Sequence, residues 1–480
     1  MAEMSSKPHA LLVPSPMMGH LIPLMELASS LVTHHNFHVT VIAVSSNSSP
    51  ELSQVIQSAK TKKLCDIIEL PAPSDQASNM AGSVFTHLSA VMHDARSPLR
   101  SAISLLEVKP AAMIVDIFGT PALTVAEEFH MLKYVMVASC ARPLTLLLYA
   151  PVLDKQIQGE YLDREELLEI PGCKAVRPED VAKPLMNRKD REYEAYLRKA
   201  NDIASMSDGI MINTWEDLEA ESLKAMREHP EWKKILQVPV YTIGPLFRSA
   251  GQPGGGSTAP RSELLDWLDK QPRESVLYVA FGSMGVLSAE QIIEMAWGLE
   301  LSKQRFIWVV HPPSKRSGDK GNDISEYLPE GFMARTHETG VVVTTWAPQS
   351  EILAHSSVGG TLSHCGWNSS VESILNGVPM IAWPLYAEQT MIATQLVEEL
   401  KVAIKPKELP AKAVAGREEI EMLVRKIMKE KEGDEMRARV KELKVSGEKA
   451  LSEGGSSFNM LSELSRLCKI KTEQQAGQKV

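Results

Sequence analysis

Short apolar runs rich in β-branched residues alternate with helix-like patterns through both halves of this 480-residue chain. Near-continuous apolar runs are typical of strands covered on both faces, and strands that alternate with helices predict parallel sheets. The expected strands of the first half are 10–13, 37–44, 111–115, 134–138, 209–213 and 240–243. Those of the second half are 275–280, 305–310, 341–345, 360–363 and 379–383. The pattern therefore predicts a doubly wound α/β sheet in each half.

A segment rich in glycine, serine and proline, 249–260, separates the two halves and has no apolar period. A chain of this length also exceeds one ordinary hydrophobic core, so at least two domains are expected. We predict a Rossmann-like domain over 1–246, a linker over 247–261, a second Rossmann-like domain over 262–455, and a C-terminal helix over 456–480 that packs back on the first domain.

The composition limits which binding partners and which cellular compartment are expected. A formal net charge of −9 argues against nucleic acid or an anionic membrane as a main partner. The five cysteines are scattered and lack CxxC spacing, which favours a reducing compartment and predicts neither a disulfide framework nor a metal site. The N-terminus lacks the regions of a signal peptide, and the best apolar run, 143–153, is too short for a membrane span. We therefore expect a cytoplasmic protein.

The stretch 346–389 carries the chemistry of a nucleotide-sugar site. It opens with the ring of Trp346 and the amide of Gln349, which suit a nucleobase, and closes with Glu388 and Gln389, which suit sugar hydroxyls. In its middle, 364–369 joins an apolar run to a helical pattern, where unpaired N–H groups favour phosphate. That hexapeptide alone fits an ordinary capped helix equally well, and its surroundings decide for the phosphate site.

A second turn rich in glycine and serine, 281–285, follows the first expected strand of the second half. Ligands of open α/β sheets bind at the carboxyl ends of strands, so Ser283 is a candidate phosphate contact. Such turns are common after strands, and this one has little weight alone.

His20 and Asp116 are the candidate catalytic pair. His20 lies where the first strand meets a helical pattern, and imidazole is a suitable base near pH 7. Asp116 ends another apolar strand, from which a carboxylate could fix the tautomer of a neighbouring imidazole. Each residue has a plainer alternative, since histidine can cap the first helix and Asp116 can cap the pattern beginning near Pro121.

These motifs strongly resemble the plant UDP-dependent glycosyltransferases of family 1. The resemblance covers essentially the whole chain, including Gly19-His20 with Pro23, and it is closest to the enzymes that glucosylate hydroquinone, monolignols and flavonoids. It implies the GT-B fold, with two Rossmann-like domains facing across a cleft. The UDP-sugar site that it implies comprises Ser283, Trp346, Ala347, Gln349, His364, Gly366, Trp367, Asn368, Ser369, Glu372, Tyr386, Glu388 and Gln389.

The resemblance also implies the reaction. His20, assisted by Asp116, would deprotonate a phenolic or flavonoid hydroxyl, which attacks the glucose of UDP-glucose with inversion. No cofactor or metal is expected, and we expect a monomer. Position in the chain suggests Met17, Phe85, His87, Val91, Cys140 and Leu147 as acceptor contacts. Met17 replaces the glycine usual in the family, and Pro121 replaces the acid or amide of many relatives, so both bear on acceptor preference.

Three other functions remain open from the sequence. The same base could direct a polyphenol ring carbon, rather than an oxygen, at the sugar. The chain could bind a nucleotide sugar without catalysis, although it retains His20 and Asp116. A nicotinamide-dependent oxidoreductase is the third, but no GxGxxG follows a strand.

Overall fold

The computed structural model of this chain describes residues 7–44, 50–71, 84–248, 263–313, 323–408 and 413–477. The chain divides into two compact units, of which the first is Met1–Phe247 with Gly447–Val480 and the second is Arg248–Ser446. The expected linker falls almost entirely outside the described residues. Among the described residues, no helix combines the length and the hydropathy needed to cross a bilayer.

The first unit is built on a sheet of seven parallel strands. In chain order they are β1 (His9–Val13), β2 (His38–Val44), β3 (Asp66–Leu70), β4 (Ala112–Asp116), β5 (Leu132–Val137), β6 (Gly209–Ile212) and β7 (Val240–Thr242). Their order across the sheet is β3-β2-β1-β4-β5-β6-β7. Every residue of β1 and β4 is buried, which explains why both strands read as unbroken apolar runs.

The second unit has a parallel sheet of six strands. They are β8 (Val276–Ala280), β9 (Arg305–Val309), β10 (Gly340–Val343), β11 (Val358–Ser363), β12 (Met380–Ala382) and β13 (Ala403–Ile404), in the order β10-β9-β8-β11-β12-β13. This is the doubly wound order, in which the winding reverses between β8 and β11, as it reverses between β1 and β4 in the first sheet. Ligands of such sheets bind beyond the carboxyl ends of the strands at this switch point.

Helices connect the strands. In chain order they are α1 (Met18–His34), α2 (Pro50–Lys62), α3 (Val84–Asp94), α4 (Arg96–Leu105), α5 (Leu123–Glu128), α6 (Ala141–Gln156), α7 (Arg191–Met206), α8 (Ala220–Glu228), α9 (Pro230–Ile235), α10 (Glu263–Leu268), α11 (Ala289–Ser302), α12 (Phe332–Thr336), α13 (Gln349–Leu353), α14 (Trp367–Asn376), α15 (Gln389–Thr394), α16 (Arg417–Lys429), α17 (Lys431–Leu451) and α18 (Ser456–Gly477). A π-helical turn, Gln395–Glu399, follows α15 directly.

Each unit has its own apolar core. In the first unit, Leu461, Leu464 and Cys468 of α18 join the side chains of β1, β4 and α1 in one buried cluster. The Ser457 hydroxyl at the start of α18 donates to the carbonyl of Gly244, which fixes that end of the helix. In the second unit, α11 and α16 pack closely, and a methyl group added at Gly298 would lie 2.5 Å from Ile420.

The predicted fold class is confirmed, and the structure adds two strands that the sequence patterns missed. Both lie at the edge of a sheet. Solvent reaches an edge strand, so charged residues can interrupt its apolar run. Strand β3 carries two of them, Asp66 and Glu69. Strand β13 has only two residues, which is too short to produce a pattern.

Candidate active site

Asp116 is the last residue of β4 and has no exposed surface. Its Oδ1 accepts the N–H groups of Phe118 at 2.9 Å and Gly119 at 3.0 Å, so it caps the 3-10 turn Ile117–Ala122. Oδ1 also accepts the Ser15 hydroxyl at 2.7 Å, and Oδ2 accepts the Ser15 N–H at 2.8 Å. A buried carboxylate with this many donors is held in a single orientation.

His20 completes this arrangement from the neighbouring strand. It lies in the first turn of α1, directly after β1, and its Nδ1 is 3.1 Å from Asp116 Oδ2. A carboxylate at this distance favours the tautomer that carries its proton on Nδ1, which leaves the lone pair of the neutral ring on Nε2. Burial favours a higher pKa for Asp116, but the charge and hydrogen bond of His20 and the bonds from Ser15 outweigh it, and the pKa lies below its ordinary value.

Asp116 thus caps the turn with Oδ1 while Oδ2 lies 3.1 Å from His20 Nδ1, so capping the turn and lying beside the imidazole do not exclude each other. This combination is possible because Asp116 ends β4 at the switch point, where the first turns after β1 and β4 lie side by side.

An aromatic cluster adjoins His20 in the first unit. The ring of Phe118 packs edge-on against His20 with centroids 5.1 Å apart, and Phe85 packs against Phe118 at 5.3 Å. Tyr196 of α7 lies 5.9 Å from Phe85. Among the acceptor contacts suggested by the sequence, Phe85 is therefore linked to His20 through the ring of Phe118. Met17, another of these candidates, is the residue that precedes α1.

The remaining acceptor candidates are less accessible. His87 is half-buried on α3, whereas Val91 and Leu147 are largely buried. Cys140, which precedes α6, has no exposed surface, so a ligand cannot contact its side chain in this structure. Pro121 lies within the 3-10 turn that Asp116 caps.

The predicted phosphate site lies between β11 and α14 in the second unit. Helix α14 begins at Trp367, so its N-cap is Gly366, and Asn368 and Ser369 lie in the first turn rather than at the cap. Cys365 adopts a left-handed conformation with φ of 64°, which turns the chain from strand to helix. A helix makes no internal hydrogen bonds to the N–H groups of its first turn, and a helix start of this kind is a common binding place for anions.

His364 is enclosed by two glycines. A methyl group added at Gly282 or at Gly366 would lie 2.6 Å or 2.5 Å from His364 Nε2, so only glycine leaves room for the ring. Burial lowers the pKa of His364 to about 4, so the ring is neutral at pH 7. The stretch 346–389 also contains no lysine or arginine. Within this stretch, the partial positive charge that could meet an anion is therefore that of the start of α14.

A hydrogen-bonded cluster forms around Glu372 on the next turn of α14. Gln349 Nε2 donates to Glu372 Oε2 at 2.5 Å and to Ser369 Oγ at 3.1 Å, and the Ser350 hydroxyl donates to Glu372 Oε1 at 3.0 Å. Burial raises the pKa of Glu372 although Gln349, Ser350 and the charge of Arg248 act in the opposite direction. The structure therefore brings Gln349, Ser369 and Glu372 together.

The two ends of the stretch differ in exposure. Trp346 is 58% exposed in the loop after β10, which leaves its ring available for stacking, while Ala347 is buried. Gln389 is buried at the start of α15, and its Oε1 accepts the N–H groups of Leu385 and Tyr386 at 2.9 and 3.0 Å. Glu388 is half-buried, and the Tyr386 ring lies 6.4 Å from that of His364. Ser283 is exposed after β8, and Trp367 is buried.

Four residues that contact the predicted site residues were not themselves predicted: Ser15, Phe118, Gly282 and Ser350. Ser15 and Phe118 flank the predicted pair in sequence, and Gly282 and Ser350 adjoin Ser283 and Gln349, so proximity to a predicted residue was the available signal. Within the described ranges, no group of three or more His, Cys, Asp or Glu side chains is placed to hold a metal ion.

Several known proteins are similar to this chain over most of its length. The sequence model of the family described as UDP-glucoronosyl and UDP-glucosyl transferase matches residues 256–431. The chain is 51% identical to anthocyanidin 3-O-glucosyltransferase 5 of Manihot esculenta over 96% of both chains, and 42% identical to hydroquinone glucosyltransferase of Rauvolfia serpentina over 96% of this chain and 98% of that one.

A solved structure resembles the whole chain. The crystal structure of TcCGT1 in complex with UDP superimposes with a TM-score of 0.91 at 44% identity, over 97% of this chain and 100% of that one. Identity of this level over nearly the full length shows common descent as well as a common fold. The chain belongs to the plant family 1 UDP-glycosyltransferases, which are enzymes of the GT-B fold.

Proposed function

We propose that this chain is an inverting glucosyltransferase that moves glucose from UDP-glucose to a hydroxyl of a small phenolic or flavonoid-type acceptor. The observation that carries the proposal is the His20–Asp116 pair, with 3.1 Å between Nδ1 and Oδ2 and a carboxylate that has no exposed surface. The names of the two glucosyltransferase relatives, which refer to an anthocyanidin and to hydroquinone, support the acceptor class.

In the proposed reaction, His20 Nε2 takes the proton of the acceptor hydroxyl as the oxygen attacks the anomeric carbon. Asp116 would stabilise the imidazolium that forms, since its charge lies beside Nδ1. UDP leaves from the opposite face of the sugar, so an α-linked donor gives a β-glucoside. The proposal needs no metal ion, because the negative charge on UDP would be met by the first turn of α14, His364 and Ser283.

The second unit would hold the donor. We assign the exposed ring of Trp346 to uracil, and the cluster of Gln349 and Glu372 to the ribose hydroxyls. The UDP bound in the TcCGT1 crystal structure supports a nucleotide site in this fold. Glu388 and Gln389 would contact the sugar, and Gln389 already has a fixed orientation because its Oε1 bonds two backbone N–H groups.

We predict that Gly282→Ala weakens UDP binding about tenfold or more. The new methyl group would lie 2.6 Å from His364 Nε2 and displace the ring, and the loss of a hydrogen bond to a charged group costs about 1.5–3 kcal/mol. Calorimetric titration with UDP measures the effect. Gly454→Ala is a matched control, because Gly454 has a similar φ of +80° with no neighbour within 4 Å. Equal UDP affinity of Gly282→Ala and the wild type would contradict the role of His364.

We predict that the loss of rate on removing the His20 base is smaller for acidic phenols than for weakly acidic ones. An acidic phenol releases its proton more easily and depends less on a base. Rates of the wild type and of His20→Ala on a series of substituted phenols measure this trend. A loss that grows with phenol acidity would count against proton removal by His20.

Product analysis tests the proposal as a whole. Purified protein is incubated with UDP-glucose and a mixed panel of phenols and flavonoids, and the products are read by mass. We expect a hexose adduct on at least one acceptor, which the His20→Ala variant fails to form at a comparable rate. No adduct on any acceptor, with UDP-glucose still bound, would overturn the proposed transfer and favour a protein that only binds the nucleotide sugar.

A further inference from the structure

Lys199 is a buried lysine close to the proposed catalytic pair. It lies on α7, is 4% exposed, and its Nζ donates to the Thr120 hydroxyl at 2.8 Å. Thr120 itself has no exposed surface. Within the described part of the chain, no carboxylate lies at ion-pair distance from Nζ. A buried ammonium is costly unless it is paired, so a lysine that is bonded to a hydroxyl here calls for an explanation.

The partner of Lys199 belongs to the turn that Asp116 caps. Thr120 lies in the 3-10 turn Ile117–Ala122, whose first N–H groups donate to Asp116 Oδ1. Helix α7 packs against this turn. A continuous path of contacts therefore runs from the Lys199 ammonium through the turn to the carboxylate, and from the carboxylate to His20 Nδ1.

Lys199 is charged at neutral pH. Burial lowers its pKa to about 8, although the charges of Asp202 and Asp116 act to raise it. The elements packed against α7 are α3, α6 and the 3-10 turns Ile117–Ala122 and Lys183–Met186. The titratable and charged side chains that these elements bring are His87, His93, Asp94, Arg142, Tyr149, Asp154, Lys155 and Lys183. Those on α7 itself, besides Lys199, are Arg191, Glu192, Tyr193, Glu194, Tyr196, Arg198 and Asp202. Among these groups and Asp116, the charges that act on the pKa of Lys199 are those of Asp202 and Asp116, and both raise it.

We propose that Lys199 is a positioning residue of the reaction, whose buried ammonium opposes protonation of His20 and so holds this histidine in its basic form. The inference rests on the proposed function, in which His20 is the base. The effect of Lys199 on His20 is electrostatic. Before proton transfer, Asp116 and Lys199 balance each other beside a neutral ring. An imidazolium adds a second positive charge to the same buried region, so the ammonium lowers the pH at which His20 becomes protonated.

The test compares the titration of His20 in the wild type and in Lys199→Met, which keeps the length of the side chain and removes its charge. The His20 signal is followed by NMR in protein labelled at histidine, and it is assigned by its absence in His20→Gln. We expect the His20 titration midpoint to rise by about one pH unit in Lys199→Met, the size expected of one unit charge in a partly buried environment. The acid limb of kcat/KM should move up in pH by the same amount.

Two variants separate charge from packing. Lys199→Arg keeps the charge and should retain the wild-type midpoint, and Lys183→Met removes an exposed lysine from a neighbouring turn and should leave it unchanged. If Lys199→Met does not fold, Lys199→Gln provides the same comparison. An unchanged His20 midpoint in a folded, uncharged variant would overturn the inference. Because the NMR titration needs no turnover, it decides the effect of Lys199 even if His20→Ala proves fully active and the proposed function fails.

Discussion

Replacing His20 with alanine should lower kcat by about 10²- to 10⁴-fold, the contribution typical of a positioned general base. The histidine contacts Asp116 and Phe118 in the first unit, whereas the proposed nucleotide contacts belong to the second unit. We therefore expect UDP binding to persist in the variant. Initial rates with UDP-glucose and a phenol measure the loss, and calorimetric titration measures UDP affinity.

The matched control for this variant is His93→Ala. His93 lies on α3 of the same unit with a side chain that is 58% exposed, and we expect near wild-type rates from its removal. A His20→Ala enzyme as active as the wild type would remove His20 from the mechanism. A variant that has lost UDP binding as well would indicate a general disturbance instead of the loss of a base.

Asp116→Asn should lower kcat by a similar factor, on the order of 10²- to 10⁴-fold. Oδ1 of Asp116 accepts three donors, from Ser15, Phe118 and Gly119, so the amide oxygen of asparagine would occupy that position. Its NH₂ group would then face His20 Nδ1 and donate to it. The ring would be forced into the tautomer that carries its proton on Nε2, where it cannot accept a proton from the substrate.

The stability of this variant provides an independent check. The same NH₂ group would also face the Ser15 N–H, which now donates to Oδ2 at 2.8 Å, so two donors would oppose each other in a buried site. We expect Tm to fall together with kcat. Ser15→Ala is the graded comparison, because it removes one hydroxyl bond and leaves the carboxylate and its contact with His20, and its loss of kcat should be much smaller. Wild-type turnover by Asp116→Asn would contradict the tautomer argument.

The sequence predicted the structure well where a short segment had to meet one requirement, such as burial of a whole strand. The unbroken apolar runs before His20 and Asp116 predicted central strands, and the sheet places both residues at its switch point. Two of the four edge strands, β3 and β13, were missed because an edge position tolerates charged residues and very short lengths.

Contacts between distant parts of the chain could not be derived from patterns. Ser15 bonds Asp116 across 101 positions, and Lys199 bonds Thr120 across 79, while neither residue has a distinctive sequence context. The acceptor candidates were chosen by position alone, which is why they include Cys140, a residue without exposed surface. Burial depends on how helices such as α3, α6 and α7 pack, and local sequence does not determine that packing.

Proton NMR of the product of one turnover reaction decides whether glucose passes from UDP-glucose to a phenolic oxygen with inversion. We expect a single O-linked glucoside whose anomeric coupling is that of the β form, with one UDP released for each glucoside. The product should also be cleaved by β-glucosidase. An α-glucoside would contradict a single displacement, and a glucose bonded to a ring carbon, stable to acid and to β-glucosidase, would contradict transfer to oxygen.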